Sequence, residues 1–339
     1  MQLGLKKSLY ASLLIVIASS THAEYTVGDG FETGNVFLSG YSKVAWEAPT
    51  GKPQSLILDD LSFFASVSVN QYINPFIEAE ITKAQFWQEG DEIGFKNSKL
   101  VLERLYNDVL LNDQVTLRIG KSLAPVGEWN RIHAAPLVWT TNRPITTRYS
   151  FSESVSGLNL QYTQQNNNVF HLYYQPGSEW VPKPNDKNRP RDYEQVAGVS
   201  FDNYLSLENK LGFSVQHADV KNSNVSQWVF SLDGQWKNTQ FDIEYQTTYA
   251  KIDYHSVQSN SEEWGGYIQG IWHFNDQWHA IVRPEYFLTR QNDSQTSMLY
   301  GLVYRPQPAI SFKLEYVDIN LKQSFGFSQG LFASMAVLF

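Results

Sequence analysis

The stretch that decides the fold is residues 228–246, which read WVFSLDGQWKNTQFDIEYQ. Apolar and polar side chains alternate on both sides of the central Asn238-Thr239-Gln240, so that Trp228, Phe230 and Leu232 share one face and Ser231 and Asp233 the other. Successive side chains of a β-strand point to opposite faces of the sheet. The pattern therefore predicts two amphipathic strands joined by a tight polar turn.

The same two-residue period recurs along almost the whole chain, for example in 56–69, 153–163 and 309–320. Sixteen such strands can be counted, and counts of 14 and 18 stay open. The least certain assignment is the connection between the strands at 195–202 and 209–218. The strand at 98–110 alternates irregularly, which a β-bulge would explain. Short and long connections follow one another in turn. An even number of antiparallel strands with this alternation is typical of a closed transmembrane β-barrel.

Composition excludes several classes of protein. The chain has 339 residues, a formal charge of −8, 14% aromatic residues and no cysteine. The aromatic content argues against disorder, and the lack of cysteine excludes disulfide scaffolds, thiol enzymes and iron–sulfur ligands. The net acidity argues against nucleic acid as a partner.

The first 23 residues have the features of a secretory signal peptide. Lys6 and Lys7 precede a short apolar segment, and small residues stand at Thr21 and Ala23. We expect a barrel domain over 24–339, whose charge falls to −10 because the leader carries two lysines and no acid. No apolar run of 18 residues remains after the leader, so no membrane helix is expected.

Alternation by itself fits a soluble β-sandwich as well as a membrane barrel. Three features favour the membrane. Tryptophans stand near many strand ends, as in interfacial aromatic girdles. The polar faces carry ionised residues such as Glu244, Arg283 and Lys313, which suit a water-filled lumen. The last strand ends on Phe339, and it resembles the terminal signal of Gram-negative outer-membrane proteins.

The longest connection, residues 122–152, is rich in Trp, Leu, Val and Pro, so it needs a surface on which to pack. In a barrel that surface is the lumen wall, and the loop would narrow the channel. The segment 118–148 carries a net charge of +4. We expect a pore constriction formed by Arg118, Lys121, Arg131, Arg143 and Arg148, with Glu128 opposite. A second basic loop at 181–191 contains Lys183, Lys187, Arg189 and Arg191. These cations could instead bind lipid phosphates or pair with neighbouring acids.

The start of this loop resembles the phosphate-selective-porin-like group of outer-membrane barrels. The matching residues are Arg118-Ile119-Gly120-Lys121, Pro125-Val126-Gly127, Trp129-Asn130, His133, Pro136 and Pro144. The resemblance covers about 30 residues and implies a 16-stranded, usually trimeric diffusion channel with an inward-folded loop. Phosphate-selective members have a strongly basic pore, and this acidic chain departs from that pattern.

We therefore expect an outer-membrane porin that lets small hydrophilic, and by its local charge anionic, solutes diffuse passively. The expected partners are outer-membrane lipid, lipopolysaccharide and two further copies of the chain in a homotrimer. We expect no catalysis, cofactor or metal, since no HExxH metal-ligand spacing occurs. The alternatives are a barrel enzyme of the lipid-hydrolase type, a structural or adhesive barrel without transport, and a secreted soluble β-protein.

Overall fold

The computed structural model describes residues 26–132, 134–181, 192–255, 259–320 and 328–339. The leader predicted at 1–23 lies outside these ranges. The described ranges contain seventeen strands and two helical turns: β1 (Phe31–Thr33), β2 (Val36–Pro49), β3 (Ser55–Val67), β4 (Pro75–Gln88), β5 (Lys99–Leu110), β6 (Val115–Leu123), α1 (Glu128–Arg131), α2 (Thr146–Tyr149), β7 (Ser154–Thr163), β8 (Val169–Gln175), β9 (Tyr193–Tyr204), β10 (Lys210–Val220), β11 (Val225–Lys237), β12 (Phe241–Tyr254), β13 (Ser259–His273), β14 (Trp278–Leu288), β15 (Ser294–Gln307), β16 (Ile310–Asn320) and β17 (Gly330–Leu338).

Strands β2 to β17 form a closed antiparallel ring. Each strand pairs with the next along the chain, and β17 pairs with β2 over nine registered residue pairs from Gly330↔Pro49 to Leu338↔Tyr41. Strand β1 pairs only with the start of β2 and lies outside the ring. The prediction of a 16-stranded transmembrane-type β-barrel is confirmed, and the uncertain join is the β9–β10 hairpin.

The two ends of the barrel differ in their connections. Seven short turns join β3 to β4 and each later odd-numbered strand to the next, and this is called the turn end. The connections after the even-numbered strands lie at the opposite, loop end. The longest is residues 124–153, here called L3. Among the described residues, no helix is long and apolar enough to cross a membrane.

The side chains of β16 give the polarity of the two barrel faces. Phe312, Leu314 and Tyr316 expose 41–46% of their surface on the outside, whereas Lys313 and Glu315 are 3% and 1% exposed inside. A soluble sandwich would bury the apolar set and expose the charged one. The observed inversion is that of a barrel whose outer face meets lipid and whose inner face lines a polar lumen.

The irregular strand at 98–110 contains a β-bulge. In the β4–β5 ladder, Glu78 faces Arg104 and the next residue, Ala79, faces Leu102, so Glu103 is the extra residue of β5 in the backbone register. A second register shift makes Asp59 the extra residue of β3, between the pairs Lys43↔Asp60 and Val44↔Leu58. A bulge inserts one residue and re-aims the side chains beside it. Both bulged residues are acidic, and both face the lumen.

Candidate pore constriction

L3 leaves β6 at the loop end and folds into the lumen. It contacts inward-facing side chains of every strand from β9 to β17, beginning with Asp202 on β9 and ending with Ser334 and Ala336 on β17. Ala135 of the same loop also packs in a cluster with Tyr41 of β2. The loop therefore follows the wall from β9 to β17, and an open cavity remains between it and β2–β5.

Gly127 lets L3 turn onto the wall. Its φ is +69°, in the region that favours glycine, and a Cβ there would come within 2.5 Å of the amide group of Gln246 on β12. Helix α1 begins at the next residue. The Pro-x-Gly element seen in the sequence is thus the point at which the loop first touches the opposite strands.

A cluster of five charges fastens α1 to β9, β10 and β11. The Arg131 guanidinium donates two hydrogen bonds to Asp202, and the second is 2.9 Å long. Lys210 pairs with Glu128, and Asp233 lies 3.8–3.9 Å from both cations. Burial alone would lower the pKa of Arg131, but the carboxylates of Asp202, Glu128 and Asp233 outweigh it and raise that pKa above its usual value.

The tip of L3 is held by cations of β15 and β16. Lys313 Nζ donates to the carbonyl oxygens of Ala135 and Val138 at 2.7 and 2.6 Å. The Arg305 guanidinium donates to the Val138 carbonyl at 3.3 Å and lies 4.1 Å from the centre of the Trp139 ring. These charge-assisted hydrogen bonds satisfy the backbone carbonyl oxygens of the loop tip, which would otherwise be buried unpaired. They therefore fix the path of the loop.

The descending part of L3 is held by carboxylates. Glu315 accepts the backbone amides of Thr141 and Asn142, the latter at 3.1 Å, and the side-chain amide of Asn142 at 3.0 Å. Glu285 accepts the Ile145 amide at 2.8 Å and the Arg283 guanidinium at 2.7 Å. The inward acids of β14 and β16 therefore satisfy backbone donors that L3 would otherwise bury unpaired.

An open cavity lies between L3 and strands β2–β5. Its empty volume is about 1290 Å³, including the solvent that is continuous with it. The charged side chains that line it, among the described residues, are five basic and five acidic: Lys43, Lys83, Lys99, Arg143 and Arg148, and Asp59, Asp60, Glu80, Glu103 and Glu153. The lining therefore carries no net formal charge.

The bulges supply two of the wall acids. Asp59 and Asp60 are consecutive, yet Lys43 Nζ reaches both carboxylates, at 2.6 and 3.1 Å. In a regular strand one of the two would face lipid. Glu103, the bulged residue of β5, is 3% exposed and lines the same cavity.

Two of the residues predicted for the constriction, Arg143 and Arg148, line this cavity. Arg143 pairs with Glu153 at 2.9 Å and donates to the Thr147 hydroxyl at 2.8 Å. Burial lowers the pKa of Arg143, and the Glu153 carboxylate offsets only part of that effect. Arg143, Arg148 and Glu153 all belong to L3, so the loop side of the cavity carries a net charge of +1.

The other predicted residues have different surroundings. Glu128 and Arg131 are in the α1 cluster, on the far side of L3. Lys121 is 1% exposed, and its Nζ binds Glu179 at 2.7 Å and the carbonyl oxygens of Leu102 and Val181. Arg118 forms a bidentate pair with Asp108, at 2.8 and 2.9 Å, in the turn-end half of β6. The second basic set, Lys183, Lys187, Arg189 and Arg191, lies outside the described residues.

Sequence reasoning missed most of the wall side of the cavity. Lys43, Lys83, Lys99, Asp59 and Glu103 are separated by up to 60 positions and share no motif. Only the irregular alternation of 98–110 signalled that a charged side chain was displaced there. Strand pairing in the ring brings the five together.

Other chemistry is sparse among the described residues. No group of three or more His, Asp or Glu side chains is placed to hold a metal ion. One hydroxyl–imidazole contact joins Ser226 Oγ and His255 Nε2 at 2.9 Å, at the loop end of β11 and β12. Within the same ranges no side chain bonds the other ring nitrogen of His255.

The fold can be compared with known proteins. No protein-family model matches the chain. An uncharacterized protein of Aquifex aeolicus (strain VF5) is 22% identical over 344 residues, covering 85% of this chain and 76% of that protein. Similar solved structures include OmpT, an outer membrane protein of Vibrio cholerae, in its in-vitro folded trimer form (11% identity, TM-score 0.63, 91% of this chain and 100% of that one). Another is the anion-selective porin from Comamonas acidovorans (10% identity, TM-score 0.62, 89% and 98%).

At these identities the likeness concerns the fold alone. The architecture is that of the outer-membrane porins: a closed ring of sixteen antiparallel strands with a polar lumen. The resemblance stated from the sequence, to a porin-like β-barrel, is confirmed at the level of fold.

Proposed function

We propose that the protein is an outer-membrane porin through which small hydrophilic solutes diffuse passively. The observation that carries this proposal is the open, charge-lined cavity between L3 and β2–β5. A lumen that L3 fills in part and leaves open beside β2–β5 has the geometry of a narrowed aqueous pore. The channel needs no catalytic step, cofactor or metal.

The selectivity that we propose is weak. The expectation of an anion-selective pore rests on the positive net charge of 118–148, but the described lining of the cavity has five cations and five anions. Rings of one charge at a narrow point give strong ion selectivity, and balanced charges do not. Arg143 and Arg148 on L3 are the predicted residues that we retain as pore-lining groups.

Planar-bilayer recording tests the proposal. Purified mature protein should give stable conductance steps, and a KCl gradient should give a reversal potential close to zero. Arg148→Gln should move the reversal potential in the cation-selective direction, whereas Arg118→Gln, the matched change outside the cavity, should leave it unchanged. A folded barrel that conducts nothing would contradict the porin proposal.

Location and assembly are part of the same proposal. We infer that the barrel sits in the outer membrane, with lipid and lipopolysaccharide around its apolar exterior, and that three copies associate. The trimer form of the Vibrio cholerae OmpT structure supports the assembly. Light scattering of the detergent-solubilised protein should give the mass of three chains, and a monomer mass would reject the trimer.

A lipid-hydrolase function is the second candidate. The Ser226–His255 contact favours it, because a nucleophilic hydroxyl needs an adjacent base. Phospholipid vesicles provide the test. Fatty acid release that disappears in Ser226→Ala would support catalysis, whereas no release above that of empty vesicles would remove this candidate.

A further inference from the structure

A second cavity lies on the other face of L3, toward the turn end of the barrel. Its empty volume is about 780 Å³, including the solvent that is continuous with it. Trp129 and Val138 line both this cavity and the open cavity beside β2–β5, so L3 forms the partition between the two. The second cavity is called the turn-end pocket, because its lining includes Lys237, which ends β11, and Arg305, near the end of β15.

The L3 side of the turn-end pocket is apolar. Ile132 and Leu137 are 42% and 48% exposed there, although they belong to a loop that is folded inside the barrel. The Trp139 indole lines the same side, and the Arg305 guanidinium lies 4.1 Å from its ring centre. Binding pockets combine such apolar surface with a few polar groups. The exposed side chains of L3 can therefore bury the apolar part of a solute.

The wall side of the turn-end pocket has one unpaired cation. Lys237 faces Asp242 across the β11–β12 ladder, and His273 Nε2 already contacts Asp242 Oδ1 at 3.1 Å. Within the described ranges, the Lys237 ammonium has neither a hydrogen bond nor an ion pair. Arg305 is not equivalent, because its guanidinium already donates to the Val138 carbonyl. Lys237 is therefore the group that can bind an anionic group of a solute.

A carboxylate lies close to that cation. Glu244 of β12 faces Gln235, two residues before Lys237, so the side chains of Glu244 and Lys237 point into the lumen together. The Glu244 carboxylate accepts the side-chain amide of Gln269 at 2.8 Å. An ionised carboxylate has about four acceptor positions. Glu244 can therefore bind a cationic group of a solute and keep its bond to Gln269.

We propose that the turn-end pocket binds an α-amino acid with an apolar side chain. Its carboxylate pairs with Lys237, its ammonium group pairs with Glu244, and its side chain packs on Ile132 and Leu137. An uncharged sugar would leave Lys237 without an anionic partner, and a small anion would leave the apolar side of the pocket exposed. The inference rests on the proposed channel function for the entry of the ligand, whereas binding itself needs no transport.

Calorimetric titration of the folded barrel in detergent micelles tests the site. L-leucine is the probe. L-serine lacks its apolar side chain, isocaproate lacks its ammonium group and isoamylamine lacks its carboxylate. We expect each of the three to bind about tenfold more weakly than leucine, since each loses one of the three contacts. Equal binding of leucine and serine would overturn the inference.

Variants locate the binding site. Lys237→Gln and Glu244→Gln should each bind leucine about tenfold more weakly than the wild type. Lys251→Gln is the matched control, because Lys251 is on the outer face of β12 with its side chain 48% exposed, and it should bind leucine as the wild type does. Lys99→Gln alters the open cavity. Weaker binding in Lys99→Gln together with wild-type binding in Lys237→Gln would assign the ligand to the open cavity and overturn the inference.

A bilayer recording separates this inference from the channel proposal. Leucine added to the bath should briefly interrupt the wild-type current and should not interrupt that of Lys237→Gln. If the protein does not conduct, the porin proposal fails and the titration still decides the site. If the protein conducts, and leucine neither binds in the titration nor interrupts the current, the amino-acid site is rejected and the porin proposal stands.

Discussion

At the scale of single residues, the inner wall of the barrel acts as a set of partners for the backbone of L3. Lys313 and Arg305 bind carbonyl oxygens, and Glu315 and Glu285 accept amide hydrogens. Each of these side chains is charged and points into the lumen, so each would be solvated if the loop were absent. The bonds to L3 replace that water and hold the loop in one place.

Glu315 provides a direct test of this arrangement. In Glu315→Ala, the backbone amides of Thr141 and Asn142 lose their acceptor, and an unsatisfied buried group costs about 1–3 kcal/mol. We expect a lower temperature of barrel unfolding and noisier single-channel current. Glu92→Ala, on an exposed loop after β4, is the control and should match the wild type. Equal stability of the two variants would show that L3 is held elsewhere.

We expect the α1 cluster to contribute to the stability of the barrel and not to the ion selectivity of the pore. Arg131→Gln leaves Glu128, Asp202 and Asp233 with Lys210 as their one cation within the cluster. Removing one partner of a buried ion pair costs roughly 3–5 kcal/mol. The variant should unfold at a lower temperature and keep the wild-type reversal potential, because Arg131 is outside the open cavity. A changed reversal potential with unchanged stability would return Arg131 to the pore lining.

At the scale of elements, the irregular strands carry the charge pattern of the constriction. Regular alternation would place one of two adjacent residues in lipid, yet Asp59 and Asp60 both reach Lys43. The bulge at Asp59 of β3 makes this possible, and a second bulge, at Glu103 of β5, lies on the other side of β4 and also faces the lumen. L3 is itself an element whose course depends on the strands that it crosses.

Deletion of one residue tests the bulge. Removing Glu103 brings Leu102 and Arg104 into sequence opposite Ala79 and Glu78, so the β4–β5 ladder becomes continuous. The variant should fold and should show a shift of reversal potential in the anion-selective direction, since the cavity loses one acid. Deleting Phe230 from the regular β11 is the control.

Because a one-residue slip exchanges the two faces of a strand, the control should fail to give a heat-modifiable folded band on an SDS gel. Loss of folding in both deletions would reject the assignment of Glu103 as a separable bulge.

At the scale of the whole molecule, closure of the ring joins β17 to β2. Phe339 exchanges backbone hydrogen bonds with Gly40, at 2.7 and 2.8 Å, and its ring packs on Phe63 at 5.6 Å. A Cβ on Gly40 would come within 2.8 Å of the Phe339 ring, so the glycine leaves the space that the ring fills. Phe339 is therefore part of the seam between β17 and β2.

Phe339→Ala tests how much the ring contributes to the seam. The backbone bonds remain and the half-buried ring is lost, which should destabilise the barrel by about 1–2 kcal/mol, less than a fully buried aromatic ring. Refolding into detergent micelles from urea, followed by thermal unfolding, measures the effect without the assembly machinery. Phe274→Ala removes a ring that is 61% exposed and is the matched control. If both variants unfold at the wild-type temperature, the seam does not depend on the ring.

The sequence by itself determined the local part of this protein. Period-two alternation depends on neighbours within one strand, so the sixteen strands and their inside and outside faces could be predicted. The inward-folded loop was expected from the apolar composition of 122–152 and from the resemblance. The bulge at 98–110 was visible as a break in that period. The partners of each charge were not predictable, since ring pairing and the path of L3 bring together residues far apart in the chain. Tertiary structure alone decided that Arg131 joins the α1 cluster, that Lys121 binds Glu179, and that Asp59 and Glu103 face the L3 arginines, because these contacts depend on the register of the closed ring.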